Sequence, residues 1–209
     1  MARSPSICGV VLAAGESTRM GADKALLPWP PVTRGEPASG QTFLSATIRS
    51  LSPYTEMVIV VAGKNESNIA PVVYANGGFL VRNPEPERGQ FSSLQVGLQE
   101  VLSRGRDAAI VTLVDRPPVL PATIEKLHHA LIAAPMDIWA AVPEYRGQHG
   151  HPFLVGRELI EVFLKAPATA SARDIEHRHQ SHLQYVAVDD PLVAANVDTP
   201  QDYAALQKP

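Results

Sequence analysis

With 209 residues, the chain suffices for one substantial α/β core and falls short of two full domains. A net charge of −3 without any Lys/Arg cluster argues against a nucleic-acid partner. Cys8, the single cysteine, excludes an internal disulfide and fits a reducing cytoplasm, and the N-terminal apolar stretch is too short for a signal peptide or a membrane span.

Residues 7–12 are β-branched and apolar and read as a buried first strand, with Cys8 inside it as a small hydrophobe. The segment 10–24, VVLAAGESTRMGADK, carries that strand into a glycine-bearing loop. Small residues at Ala13, Ala14 and Gly15 leave backbone N–H groups uncovered for a ligand. Ser17 or Thr18 suits a cap, and Arg19 and Lys24 supply cations for phosphate oxygens. The Walker pattern fails, because Gly15 and Gly21 stand too far apart and Lys24 does not directly follow the second glycine. No G-x-G-x-x-G is present for a dinucleotide.

Residues 28–40, PWPPVTRGEPASG, form a loop on their proline and glycine content. Phe43, Leu44, Ile48 and Leu51 have helical spacing, so 42–51 reads as a helix, and 57–62 as a second buried strand. The stretch 69–80 is less defined, with a turn at Asn76-Gly77-Gly78 and a short strand at 79–81. Leu94, Val96, Leu98, Val101 and Leu102 mark a helix over 92–102 that starts near Ser92 or Ser93.

Residues 108–114, AAIVTLV, make the clearest central strand and run into Asp115-Arg116-Pro117-Pro118. There follow a helix over 123–134 capped by Thr123, strands at 138–142 and 152–155, and a helix at 157–165. A strand at 185–188 and a helix at 200–206 complete the series. Such alternation implies a single-domain, three-layer α/β/α Rossmann-like fold with a mostly parallel sheet and ligands at the carboxyl ends of its strands. Asp115 stands at one such end. A carboxylate there suits Mg²⁺ bridging triphosphate oxygens, and equally a turn aspartate before proline.

Every defined position of the pattern L-A-A-G-x-S-x-R-M-G-x-x-K-x-L-L-P is filled, from Leu12 through Gly15, Ser17, Arg19, Met20, Gly21 and Lys24 to Pro28. On that loop the chain resembles the nucleotidyltransferases of molybdenum cofactor biosynthesis, and the resemblance extends in order to about Tyr203. It implies a GT-A-like nucleotidyltransferase fold with Leu12, Ala13, Ala14, Gly15, Ser17, Arg19 and Lys24 around a nucleoside triphosphate. It also makes Asp115-Arg116-Pro117 the family's metal-binding strand end. Asp198, in Asn196-Val197-Asp198-Thr199-Pro200, resembles the family's second metal-binding aspartate, although Thr199 and Pro200 also suit the start of the last helix. Asn83, Gly89, Ser92, Ser93, Leu94, Gly97 and Leu98 match a segment that lies near base and ribose in related enzymes.

Gly147 to Pro152, GQHGHP, resembles a segment of the cytidylyltransferase branch, which places His151 on the acceptor side of the cleft. His149 and His151 alternate, and without cysteines or a nearby acid they make a poor zinc site. His177, His179 and His182 share no helical face and read as solvated; His128 and His129 mark the exposed side of a helix.

The implied reaction is transfer of a nucleotide to a phosphate of molybdopterin, with Mg²⁺ as cofactor and pyrophosphate released. The nucleotide-binding half falls at about 1–115 and the acceptor-binding half at about 116–209. Ala14 narrows the space for a purine and favours CTP, whereas Asp23-Lys24 is more usual in the guanylyl branch. Other readings are transfer to a sugar phosphate or methylerythritol phosphate, or a non-catalytic nucleotide- or cofactor-binding insertion protein for a molybdoenzyme. The loop 29–40 is longer than the family's usual connection.

Overall fold

A computed structural model describes residues 5–15, 17, 20–31, 39–167 and 169–206. Its first strand, β1 (Ile7–Ala13), is buried at every position and pairs in parallel with β2 (Met57–Ala62) on one side and β4 (Ala108–Leu113) on the other. Continuous apolar sequence is what a strand covered on both faces requires. Alternate β1 side chains confirm two cores: Ile7, Val11 and Ala13 enter one, and Cys8, Val10 and Leu12 the other. The first core is closed by α1 (Phe43–Leu51), α2 (Glu66–Ala75) and α4 (Pro121–Ala133) through Leu44, Ile69 and Ile124. Opposite lie α3 (Gln90–Ser103), α5 (Arg157–Lys165) and α6 (Ala172–Arg178), which contribute Leu98, Phe163 and Ile175. The three-layer α/β/α arrangement is therefore present. Burial also pushes the Cys8 thiol up to about 11, as expected for an inert small hydrophobe.

The parallel part of the sheet runs β3 (Phe79–Arg82), β2, β1, β4. Next to β4 comes the antiparallel β7 (Phe153–Gly156), then β5 (Ala140–Tyr145), which pairs in parallel with β8 (Leu183–Ala187). β6 (Gln148–His149) returns antiparallel along β5. Between β6 and β7 the pairing register on β5 shifts by two residues, so Gly150-His151-Pro152 bulges out of the ladder. Gly150 is packed so closely that a Cβ there would lie 1.8 Å from the Val193 carbonyl oxygen. Strand order reverses direction at β1, so the opening between the ends of β1 and β4 is the topological switch point where such sheets bind ligands.

Several boundaries differ from the sequence reading. Residues 69–80 contain most of α2, hidden because Pro71 interrupts its pattern. Helix α4 starts at Pro121 with Leu120 as its cap residue, and Thr123 instead donates its hydroxyl to Asp190 at 2.8 Å. A last helix, α7 (Pro200–Ala205), carries Tyr203, whose hydroxyl donates to the Pro28 carbonyl at 2.7 Å. Residues 32–38 of the proline-rich loop lie outside the described residues; its ends meet where Trp29 N donates to Gln41 O at 2.9 Å. Among the described residues no helix is long and apolar enough to cross a membrane.

Asp190, 1% exposed, accepts from Leu120 N at 2.8 Å, Thr123 Oγ1 at 2.8 Å and Leu192 N at 3.0 Å. It ties the loop after β4 to the segment leading to Asp198. Asp190→Ala strands one buried and two part-buried donors and is expected to cost about 2–4 kcal/mol, read as a fall in Tm of roughly 5–15 °C in thermal denaturation.

Candidate active site

The loop leaving β1 is held in place by Asn65. Its Nδ2 donates to Ala13 O at 3.0 Å and to Asp23 Oδ2 at 2.8 Å, while its Oδ1 accepts from Gly63 N at 3.1 Å. Asp23 Oδ1 in turn caps the short 3-10 turn Lys24–Leu26 by accepting from Ala25 N at 3.0 Å. Ser17 Oγ accepts from Lys24 N at 3.1 Å. These bonds fix where Lys24 points. Sequence reading did not single out Asn65, and took Asp23 only as a mark of nucleotide preference; its first task is to anchor the loop.

Lys24 is 9% exposed, and its Nζ sits 2.9 Å from Asp198 Oδ1 and 3.5 Å from Asp115 Oδ2. The two carboxylates, far apart in sequence, meet because Val197 N donates to Asp115 O at 2.9 Å and Arg116 Nη1 to Ala195 O at 2.8 Å. Thr199 caps α7 as the sequence suggests, with Asp202 completing a capping box. The same Asp202 Oδ2 accepts from Asp198 N at 3.0 Å, so the cap also orients Asp198. Those bonds, led by the Thr199 hydroxyl, hold the Asp202 carboxyl below its ordinary range.

Asp115 Oδ1 is buried without a hydrogen-bond partner among the described residues, and both carboxylates converge on one ammonium. That donor set fits a divalent cation. Two carboxylates are few for a stand-alone centre, which suits Mg²⁺ that keeps most positions for phosphate oxygens and water.

The sequence-predicted nucleotide residues separate into two groups. Leu12, Ala14, Gly15, Ser17, Gly89 and Ser93 line a cleft of about 650 Å³ together with Lys24, Asp115 and Asp198. Asn83, 2% exposed, and Ser92 stand behind it. Asn83 Nδ2 donates to Ser92 Oγ at 2.9 Å and Ser93 Oγ at 3.0 Å, and Ser92 Oγ donates to Gly89 O at 2.7 Å. Helix α3 begins at Gln90, ahead of both serines, after Gly89 at φ 92°, a conformation that favours glycine. Ala13 is occupied with strand and Asn65 contacts. Arg19 lies outside the described residues.

A second cavity of about 870 Å³ adjoins the first, and Leu12, Gln90 and Leu113 line both. His151 lines it, as do Arg88, Arg116 and Arg173. Burial, with help from the Arg116 charge, pushes the His151 imidazole down to about 4, so it is neutral near pH 7; its Nδ1 is buried without a hydrogen-bond partner among the described residues. His149 does have an acid beside it, Glu144 Oε2 at 3.1 Å, and its ring stacks on Tyr185 at 3.9 Å. The sequence placed no acid there because β6 folds back on β5. His182 is likewise not simply solvated: it stacks on Trp139 with ring centroids 3.7 Å apart.

Glu176, also missed from the sequence, lines this second cavity, and burial pushes its carboxyl up from 4.5 to about 7. Between pH 4.5 and 7 the folded chain therefore holds more protons than the unfolded chain, and stability falls as pH rises through that window. Glu176→Gln is expected to raise Tm by about 5 °C at pH 8 and to leave it unchanged at pH 4, as followed by calorimetry.

A MobA-like NTP transferase domain matches residues 9–183. The chain belongs to that family. It is 30% identical over 208 residues to a probable molybdenum cofactor guanylyltransferase of Rhodopirellula baltica, covering 96% of this chain and 92% of that protein. To the molybdenum cofactor cytidylyltransferase of Escherichia coli K12 it is 24% identical, covering 93% and 92%. Among solved structures, Rv0371c of Mycobacterium tuberculosis H37Rv superposes with a TM-score of 0.77 at 28% identity, covering 97% of this chain and 99% of that one. A complex of Rv0371c with manganese gives 0.74 at 27%, covering 96% and 97%. The chain is thus a nucleotidyltransferase of the MobA-like family, similar to molybdenum cofactor guanylyl- and cytidylyltransferases.

Proposed function

We propose that the protein transfers CMP from CTP to the phosphate of molybdopterin in a Mg²⁺-dependent reaction. The observation that carries this is the meeting of two cavities at Leu12, Gln90 and Leu113, one with Lys24, Asp115 and Asp198, the other with three arginines. An oxygen of the acceptor phosphate attacks the α-phosphorus; a new P–O bond forms, the α–β bridge breaks, and pyrophosphate leaves. The attacking oxygen is already anionic, so no general base is required.

Asp115 and Asp198 would hold Mg²⁺, whose role when bound is to neutralise charge on the phosphates. The manganese complex of Rv0371c supports a divalent cation in this family. Lys24 pairs with both carboxylates in the resting protein, offsetting one of their two charges, and exchanges them for triphosphate oxygens, with Arg19 as a second cation. Gly15, Ser17, Gly89 and Ser93 line the nucleotide side, which Asn83 and Ser92 brace from behind, and neutral His151 faces the acceptor. In this reading residues 1–115 supply most of the nucleotide site and 116–209 most of the acceptor site, in a cytoplasmic enzyme serving a molybdoenzyme.

CTP is favoured by the packing behind Ala14. A Cβ at Gly63 would lie 2.7 Å from Ala14 O, so Ala14 has little room to retreat from a purine. GTP is the second reading, favoured by the name of the Rhodopirellula relative. Incubation with molybdopterin, Mg²⁺ or Mn²⁺ and each triphosphate decides between them. The expected result is pyrophosphate release with CTP about ten-fold or more above GTP; release with GTP alone assigns the guanylyl reaction instead.

A further inference from the structure

On α6, Arg173, Glu176, His177 and Gln180 follow the i, i+3, i+4, i+7 spacing of one helical face continued into the next turn, and all four line the second cavity. Buried Ile175 fixes the helix against the core. The cavity floor is apolar and partly aromatic, with Phe91, Leu94, Val111 and Phe153, a surface for a flat ring. Its arginines suit a phosphate. Glu176 fits neither part. It is the single acid lining the cavity among the described residues, and its side chain makes no hydrogen bond or ion pair among them. Burial is what raises its carboxyl pKa. A carboxylate kept in a cavity at a cost to stability, and left without an internal partner, is an acceptor for groups that a ligand brings.

We infer that Glu176 determines acceptor specificity, its carboxylate receiving two adjacent N–H groups from the edge of a flat heterocycle, the amino–lactam edge that a pterin presents. The inference rests on reading this cavity as the acceptor site. Two parallel hydrogen bonds to one carboxylate need paired donors in the plane of the ring, which the apolar floor and the carboxylate at the rim of α6 supply together. A compact ammonium group would use the charge of Glu176 and leave the aromatic floor without a purpose.

The test uses the full chain and two fluorescent probes, a pterin monophosphate and its lumazine counterpart, in which an oxo group replaces the amino donor. Wild type is expected to bind the pterin about ten-fold or more tightly than the lumazine. In Glu176→Gln the preference vanishes or reverses, because an amide offers one acceptor and one donor, while CTP affinity by calorimetry stays unchanged. A merely structural Glu176 would not move this ratio. Equal binding of the two probes by wild type, or an unaltered preference in Glu176→Gln, overturns the inference and leaves the transfer reaction standing. Tighter binding of phosphoethanolamine than of the pterin, lost in Glu176→Gln, also overturns it in favour of charge pairing. Nucleotide binding without transfer to any pterin overturns the acceptor reading beneath it.

Discussion

Lys24→Ala is expected to lower turnover by about 10²–10³-fold and to weaken triphosphate binding about ten-fold or more. The ammonium is the best-placed cation of the described nucleotide cleft. It is almost buried, its backbone is tied to Ser17, and its charge lies between Asp115 and Asp198. A group so fixed requires little reorganisation to meet charge that develops on the leaving phosphates. Lys24→Arg keeps the charge but not the compact fit, and is expected to recover only part of the loss. Pyrophosphate release and calorimetric titration with CTP check both variants, and unchanged nucleotide affinity in Lys24→Ala would refute the assigned role.

Asp115→Asn is expected to reduce turnover by a similar factor, about 10²–10³-fold, while raising the metal concentration needed for half-maximal rate. The substitution preserves shape and leaves intact the backbone bond from Val197 to Asp115 O. Asp198 also keeps its 2.9 Å contact with Lys24, so the fold of the site survives. What is lost is one negative charge and the unpartnered Oδ1. Rates measured across a Mg²⁺ titration report this directly. A variant whose rate and metal requirement match wild type would remove Asp115 from the metal site.

Much of the fold is legible in the sequence because its strands are continuous apolar runs and its helices carry regular apolar spacing. The loop 12–28 is legible as a motif, and so are Asp115 and Asp198. The less legible parts depend on contacts distant in sequence. Asn65 acts on Ala13 and Asp23 across a β-α crossover, and nothing local marks it as more than a turn residue. Asp190 is followed by proline, as turn aspartates often are, yet it is buried because α4 brings Thr123 to it. Glu176 sits in a short polar helix, and it joins a cavity with residues of α3, β4, β7 and β8 that are distant in sequence. Helix α2 was obscured for a different reason: a proline within it breaks the local pattern while tertiary packing of Ile69 and Val73 holds the helix together.

The wall of Leu12, Gln90 and Leu113 has a stereochemical consequence. In the proposed reaction, with triphosphate in one cavity and acceptor in the other, the reacting phosphorus would lie where the two meet, and the incoming oxygen would approach opposite the departing pyrophosphate. A single displacement of that kind turns the phosphorus inside out. The configuration of a chiral α-phosphorothioate would be inverted in the dinucleotide product, without a covalent stop on the protein.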